Sequence, residues 1–287
     1  MSAYEDWVIE AETKGLKISE IILQNQMEEL EQSEQVLFQR MNTNLKAMRE
    51  SVEAGLTSKR RSLSGLVGGD AEKVEERRKR GESLIGDQMS GAIARALAVA
   101  EVNACMGKIV AAPTAGSCGV LPAVLFTIEA ARQVSEHELL LALFTAAGLG
   151  IIIAERASVS GAEGGCQAEI GSAAAMAAAA AVELAGGSPR QTADAAAIAM
   201  KSMLGLVCDP VAGLVEVPCV KRNATGAMIA LVAAEMALSG VESAIPIDEV
   251  IDAMGNIGKQ MPCALKETAQ GGLAVTPTGR RIQVDFL

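Results

Sequence analysis

The sequence predicts an all-α protein, and three observations carry that reading. Half of its 287 residues are apolar but only 2% are aromatic, and there are 28 glycines. A core of that composition is built from backbones in close approach rather than from large rings. Its Ala-rich, Gly-punctuated segments show no β-branched alternation and read as helices. Between Ile18 and Leu56 the apolar residues Met27, Leu30, Leu37, Met41, Leu45, Met48 and Val52 recur at mostly three- and four-residue steps.

Residues 1–84 form a charged, amphipathic helical region, since 29 of the 60 charged residues fall there. The 18–56 pattern predicts one long helix with a possible break near Ser33, its apolar stripe packing within the chain by default. Ser62–Gly69 reads as a flexible connection. The run RRKR that follows is flanked by Glu75, Glu76 and Glu82, which makes it a solvated helix face with i,i+4 pairs. The second region, 85–287, opens with a helix from Ile85 to Met106. It then meets AAPTAGSCGVLPA, where Pro113, Gly116, Gly119 and Pro122 interrupt regular structure. Buried helices are expected around 138–155 and 169–186. Another begins near Ser188 or Pro189 and ends near Gly205, one spans about 224–238, and a surface helix starts near Asp248. The tail KETAQGGLAV reads as a strand or turn closing against the preceding loops.

Composition excludes several functions. A formal charge of −10 disfavours nucleic acid and anionic membrane surfaces as partners. The N-terminus carries no apolar signal region. The apolar runs 139–154 and 170–182 fall short of the ~20 residues that span a bilayer, and glutamates bound both. Six cysteines without a secretory signal point to a reduced, cytoplasmic setting rather than a disulfide framework.

Three of those cysteines lie between Gly161 and Asn223. Cys166 sits in a glycine-rich turn between Glu163 and Glu169, Cys208 precedes Asp-Pro, and Cys219 follows Pro218. The prolines place Cys208 and Cys219 in non-helical chain, with amide N–H groups available to sulfur. Such thiols suit a metal or cluster tuned by hydrogen bonds and burial. Equally, unpaired cysteine is a small buried hydrophobe. Spacing alone leaves both readings open. In the turn at 112–122, the hydroxyls of Thr114 and Ser117 and the glycine backbone around Gly116 suit a carboxylate or phosphate, or simply form a turn.

Four segments carry a resemblance: APTAGSCGVLP at 112–122, GAEGGCQAEIGSA at 161–173, CDPVAGLVEVPCVKRN at 208–223 and KETAQGGLAV at 266–275. Over roughly residues 85–280 they resemble the catalytic domain of iron–sulfur-dependent L-serine dehydratases, specifically the alpha chain of the two-chain type. The resemblance implies that Cys166, Cys208 and Cys219 hold a [4Fe–4S] cluster in an all-α catalytic domain, with the site on connecting loops. It also implies that Thr114, Gly116 and Ser117 receive the substrate carboxylate. Three thiolates leave one iron open as a Lewis acid for the serine hydroxyl, and loss of the Cα proton yields pyruvate and ammonia.

In that family a Ser-rich, His-containing motif lies in the beta chain or in the N-terminal domain of single-chain relatives. This chain lacks it, so a beta subunit is the expected partner and the expected source of the main base. Its one histidine, His137, reads as a surface residue at a helix start. Lys221 and Asn223 are local candidates for substrate contacts, and Lys266 is a base if burial lowers its pKa. Cys105 reads as core, Cys118 lies outside the three-cysteine pattern, and Cys263 reads as structural. The tail cysteine that caps the cluster in some single-chain relatives is absent. The competing readings are a threonine or hydroxy-acid dehydratase and a non-catalytic interaction subunit bearing a metal or cluster. Three cysteines without a nearby histidine fit structural zinc poorly, and the absence of a compact C-x₂-C run disfavours an electron carrier.

Overall fold

The computed structural model describes residues 3–286, with side chains to residue 285, and its described residues hold thirteen α-helices and no strand. The N-terminal region contributes α1 (Tyr4–Lys14), α2 (Ile18–Leu30), α3 (Glu34–Thr57) and α4 (Asp70–Lys79). The expected break near Ser33 is present, with Glu31 in the left-handed region as it ends α2. Next come α5 (Asp87–Ala104), α6 (Val120–Arg132), α7 (Glu136–Arg156) and the single turn α8 (Gly161–Gly164). The chain continues through α9 (Ser172–Leu184), α10 (Pro189–Lys201), α11 (Cys219–Leu238), α12 (Ile247–Gln260) and α13 (Pro277–Phe286).

Helix α9 is the axis of the fold. Every residue from Ser172 to Glu183 is buried, and α6, α7, α10 and α11 pack around it. A helix apolar on all sides belongs in a core. Its alanines present only methyl groups, which lets four neighbours approach closely. Helix α7 is long and apolar enough to cross a membrane by length and composition, but 67% of its most apolar window is buried inside the protein. Its Leu139, Leu149 and Ile153 are fully buried and belong to the main core.

The N-terminal helices share that core through Tyr4, Val8, Ile18, Ile21, Leu45 and Met48. Carboxylates from later helices cap them. Asp248 accepts the N–H groups of Tyr4 and Glu5 at 3.1 and 3.0 Å. Glu183 accepts Ser19 N–H at 3.2 Å and the Thr145 hydroxyl at 2.6 Å. Glu101 accepts the N–H groups of Gly69, Asp70 and Ala71 at the start of α4. Each carboxylate satisfies orphan donors and meets the positive end of a helix dipole.

The segment Ser62–Gly69, expected to be flexible, is held instead. The hydroxyls of Ser62 and Ser64 both donate to the buried carboxylate of Glu216, and Val67 is 1% exposed. Two prolines also act differently from the sequence reading. Pro122 lies in the first turn of α6, and Pro218 directly precedes Cys219, the first residue of α11. Proline disfavours helix before itself but fits the first turn, where its missing N–H leaves no bond unmade. Cys219 therefore opens a helix rather than sitting in a loop.

The candidate active site

The three cysteines of the central segment converge at one end of α9 and α11. Cys166 precedes a π-helical turn over Gln167–Gly171 that runs into α9, Cys208 lies in the loop after α10, and Cys219 opens α11. They are 2, 2 and 7% exposed, and none forms a disulfide. Gln167 fixes the first of them. Its side chain donates to Gly164 O and Met254 O and accepts Gly205 N–H at 2.9 Å, while its own N–H reaches Leu206 O at 3.0 Å. The Cys166 turn is thereby tied to the chain entering Cys208. Cys208 pairs by backbone with the C-terminal segment, donating to Leu265 O and accepting from Glu267 N at 2.9 Å each. That segment folds as 3₁₀ turns, so the turn form of the expected closure is the one found.

Two carboxylates meet the thiols here. One oxygen of Glu169, one of Glu267 and the Cys208 sulfur lie within 4.8 Å of one another. The Thr114 hydroxyl donates to Glu169 Oε1 at 2.7 Å. Gly161 lies against the same group. A Cβ there would stand 2.7 Å from Glu169 Oε2, 3.1 Å from a Glu267 oxygen and 3.2 Å from Cys208 Sγ. Glu267 adopts φ 56°, a backbone conformation uncommon outside glycine and found at functional sites.

Burial is the main influence on the ionisable groups. It raises the Cys166 thiol to about 11 and the Cys219 thiol to about 12, and it raises Cys208 further still. The sulfurs also oppose one another's ionisation. Burial, with the Glu267 charge beside it, lifts Glu169 above the usual carboxylate range against the Thr114 hydrogen bond. Burial opposes the charge on Arg222, but the Cys166 sulfur and Asp209 more than offset it and raise its pKa. Arg222 donates to Val207 O at 2.8 Å and to Asp209 at 2.9 Å, and Asp209 accepts Leu273 N–H at 2.9 Å. This partly buried pair fastens the closing segment 272–275 to the Cys208 loop.

A family model described as serine dehydratase alpha chain matches residues 13–274. The chain belongs to that family. It is 53% identical over 270 residues to the probable L-serine dehydratase alpha chain of Bacillus subtilis, covering 94% of this chain and 90% of that one. It is 43% identical to the L-serine dehydratase alpha chain of Peptoniphilus asaccharolyticus, over 96% of this chain and 94% of the relative. With the L-serine dehydratase of Streptomyces coelicolor it shares 40% identity, over 92% of this chain but 58% of that longer protein.

In this chain the expected site residues divide into two groups. Cys166, Cys208, Thr114 and Gly116 border the Glu169 carboxylate or each other, with Cys219 close enough to act on the other thiols. Lys266 is half-buried and joined to Cys208 by the backbone bridge. Ser117 is turned into its own loop, donating to Ala112 O and Thr114 O at 3.3 Å. Asn223 is 1% exposed and spans between that loop and Cys219. Lys221 is not brought to the cysteines: it pairs with Asp70 at 3.1 Å on the outer surface. His137 stacks on Phe38 at the exposed start of α7. Cys118 faces Val99 O at 3.9 Å, Cys105 is half-buried rather than core, and Cys263 is exposed.

Glu169, Glu267, Asp209, Arg222 and Gln167 are the site residues to which sequence reasoning gave no role. Glu169 had a signal, as a carboxylate three residues after a glycine-flanked cysteine. The other four are brought in by tertiary structure. The donor set of three buried sulfurs beside two carboxylates suits a soft metal centre with an oxygen-bearing ligand, and Gly161 lets the backbone approach Glu169, Glu267 and Cys208 where a Cβ would crowd all three.

Proposed function

We propose that this protein converts L-serine to pyruvate and ammonia as the alpha chain of a two-chain, iron–sulfur-dependent dehydratase. The observation that carries the reading is the convergence of Cys166, Cys208 and Cys219 on a site walled by Glu169 and the Thr114 turn. A [4Fe–4S] cluster held by the three thiolates supplies Lewis acidity toward the departing hydroxyl when bound. The thiols lose their protons on loading, which couples metal binding to pH.

The chain's own residues supply positioning and proton transfer. The Thr114–Gly116 turn orients the substrate carboxylate over the site. Glu169 Oε1 is occupied by the Thr114 hydroxyl, so Oε2, on the Gly161 side, accepts the Cα proton. Its raised pKa brings it nearer to neutrality, where general bases work best. The Arg222–Asp209 pair keeps the segment 272–275 folded over the Cys208 loop and water away from the thiols. Loss of the Cα proton and of hydroxide, which leaves protonated as water, gives an enamine that hydrolyses to pyruvate and ammonia.

A beta chain completes the site. The family relationship and the length of the Streptomyces relative support this, because the alpha portion is there part of a longer polypeptide. The test is pyruvate formation from L-serine by the anaerobically reconstituted alpha chain with its beta chain. Turnover of L-threonine or a hydroxy acid in preference to serine would reassign the substrate, and no turnover of any would favour an interaction subunit.

A further inference from the structure

Beside the candidate site, an apolar groove of about 340 Å³ opens between α3 and α7. Met41, Met48, Leu143 and Ile151 line it, and the segment 110–113 and Val159 form its remaining walls. Those two walls lead directly into the chemistry. Pro113 precedes Thr114, whose hydroxyl holds Glu169, and Val159 stands two residues before Gly161. At the far side, Ile151 is 38% exposed and also borders a neighbouring hollow with half-buried Trp7 and the acidic side chains Glu28, Glu29 and Glu155. Apolar surface that leads into a functional site and is rimmed by charge marks an interaction surface.

We infer that this groove is where the beta chain docks, with a large apolar side chain in the cavity and basic residues against Glu28, Glu29 and Glu155. The inference rests on the two-chain reading above. The occupant follows from two facts. The match takes in 92% of this chain but only 58% of the Streptomyces relative, so an alpha part like this one is there joined to a substantial further portion in one polypeptide. Moreover, a partner seated in the groove presses on the two segments that hold Thr114 and Gly161, which is where a chain completing the site must arrive.

The test uses the anaerobically reconstituted alpha chain and its purified beta chain, titrated while L-serine turnover is followed. Ile151→Asp and Ala154→Arg both alter exposed positions of α7 at the groove, and Val232→Asp, 51% exposed on α11, is the control. Each groove variant is expected to raise the half-saturating beta concentration roughly tenfold or more, with maximal turnover and iron content unchanged. The control stays at the wild-type value. In the wild-type protein, amide exchange over 110–114 and 147–159 slows on addition of the beta chain. An unchanged half-saturating concentration in both variants with no slowing of exchange overturns docking here, and so does protection that depends on alpha concentration alone, which assigns the groove to a second copy. Absence of pyruvate from the wild-type pair overturns the functional reading, whereas pyruvate from the wild-type pair together with undiminished beta affinity in both variants and no slowing of exchange overturns only this one.

Discussion

Asn223 Oδ1 accepts the N–H of Gly119 at 2.8 Å, which joins the helix of Cys219 to the turn that carries Thr114. The other half of the amide donates to Gly116 O at 2.8 Å and to Cys219 O at 3.0 Å. Both donors and one acceptor site are thus used inside the protein. Asn223 positions the Thr114 turn relative to Cys219, and both its amide protons are held within the protein. Asn223→Asp keeps the acceptor but turns a carboxylate oxygen toward two carbonyls. It is expected to cost about 2 kcal/mol and to raise KM for serine more than it lowers kcat. Thermal unfolding and steady-state kinetics check both.

Gly161 has no space for a side chain between Glu169, Glu267 and Cys208. Gly161→Ala should displace the Glu169 carboxylate, at a cost of about 1–3 kcal/mol for overpacking. Serine turnover should fall more steeply than stability, because the atoms displaced are those assigned to the chemistry. Parallel melting curves and assays would show whether the two losses separate.

Glu169→Gln preserves shape and the hydrogen bond from Thr114 but removes the proton acceptor. Turnover should drop by about 10²–10⁴-fold, the usual contribution of a general base, with iron content intact. Because burial raises the carboxyl of the cluster-free protein, it should also titrate above the ordinary carboxylate range in a spectroscopic titration of that form. An acid limb of the titration at the position of an exposed glutamate would contradict the burial argument.

Replacement of Cys166, Cys208 or Cys219 by alanine should each abolish cluster retention, while Cys105→Ala and Cys263→Ser should not. Cys105 is half-buried and Cys263 exposed, and neither belongs to the buried thiol group. Iron analysis of the five variants decides the ligand set one residue at a time.

Much of the architecture was legible because it is local. Alanine content gave the buried helices, the Ser188-Pro189 pair gave the start of α10, and the amphipathic stripe gave α2 and α3 with their break. The less legible parts depend on distant residues. Helix α1 has no cap of its own and is closed by Asp248 from the far end of the chain. Helix α6 hid behind Pro122, which reads as a breaker until its first-turn position is known. The Ser62–Gly69 segment, full of serine and glycine, is held by Glu216, which no local pattern reveals. At the site, the thiols and the Thr114 turn were visible as motifs. The Arg222–Asp209 fastening and the approach of Glu267 to Glu169 exist only once the C-terminal segment pairs with Cys208.

The most direct test of the central claim is the iron and acid-labile sulfide content per chain after anaerobic reconstitution. About four of each per chain, as a [4Fe–4S] centre requires, is the predicted result. Absence of iron, or one equivalent of zinc in its place, would contradict it and leave Cys166, Cys208 and Cys219 as structural residues.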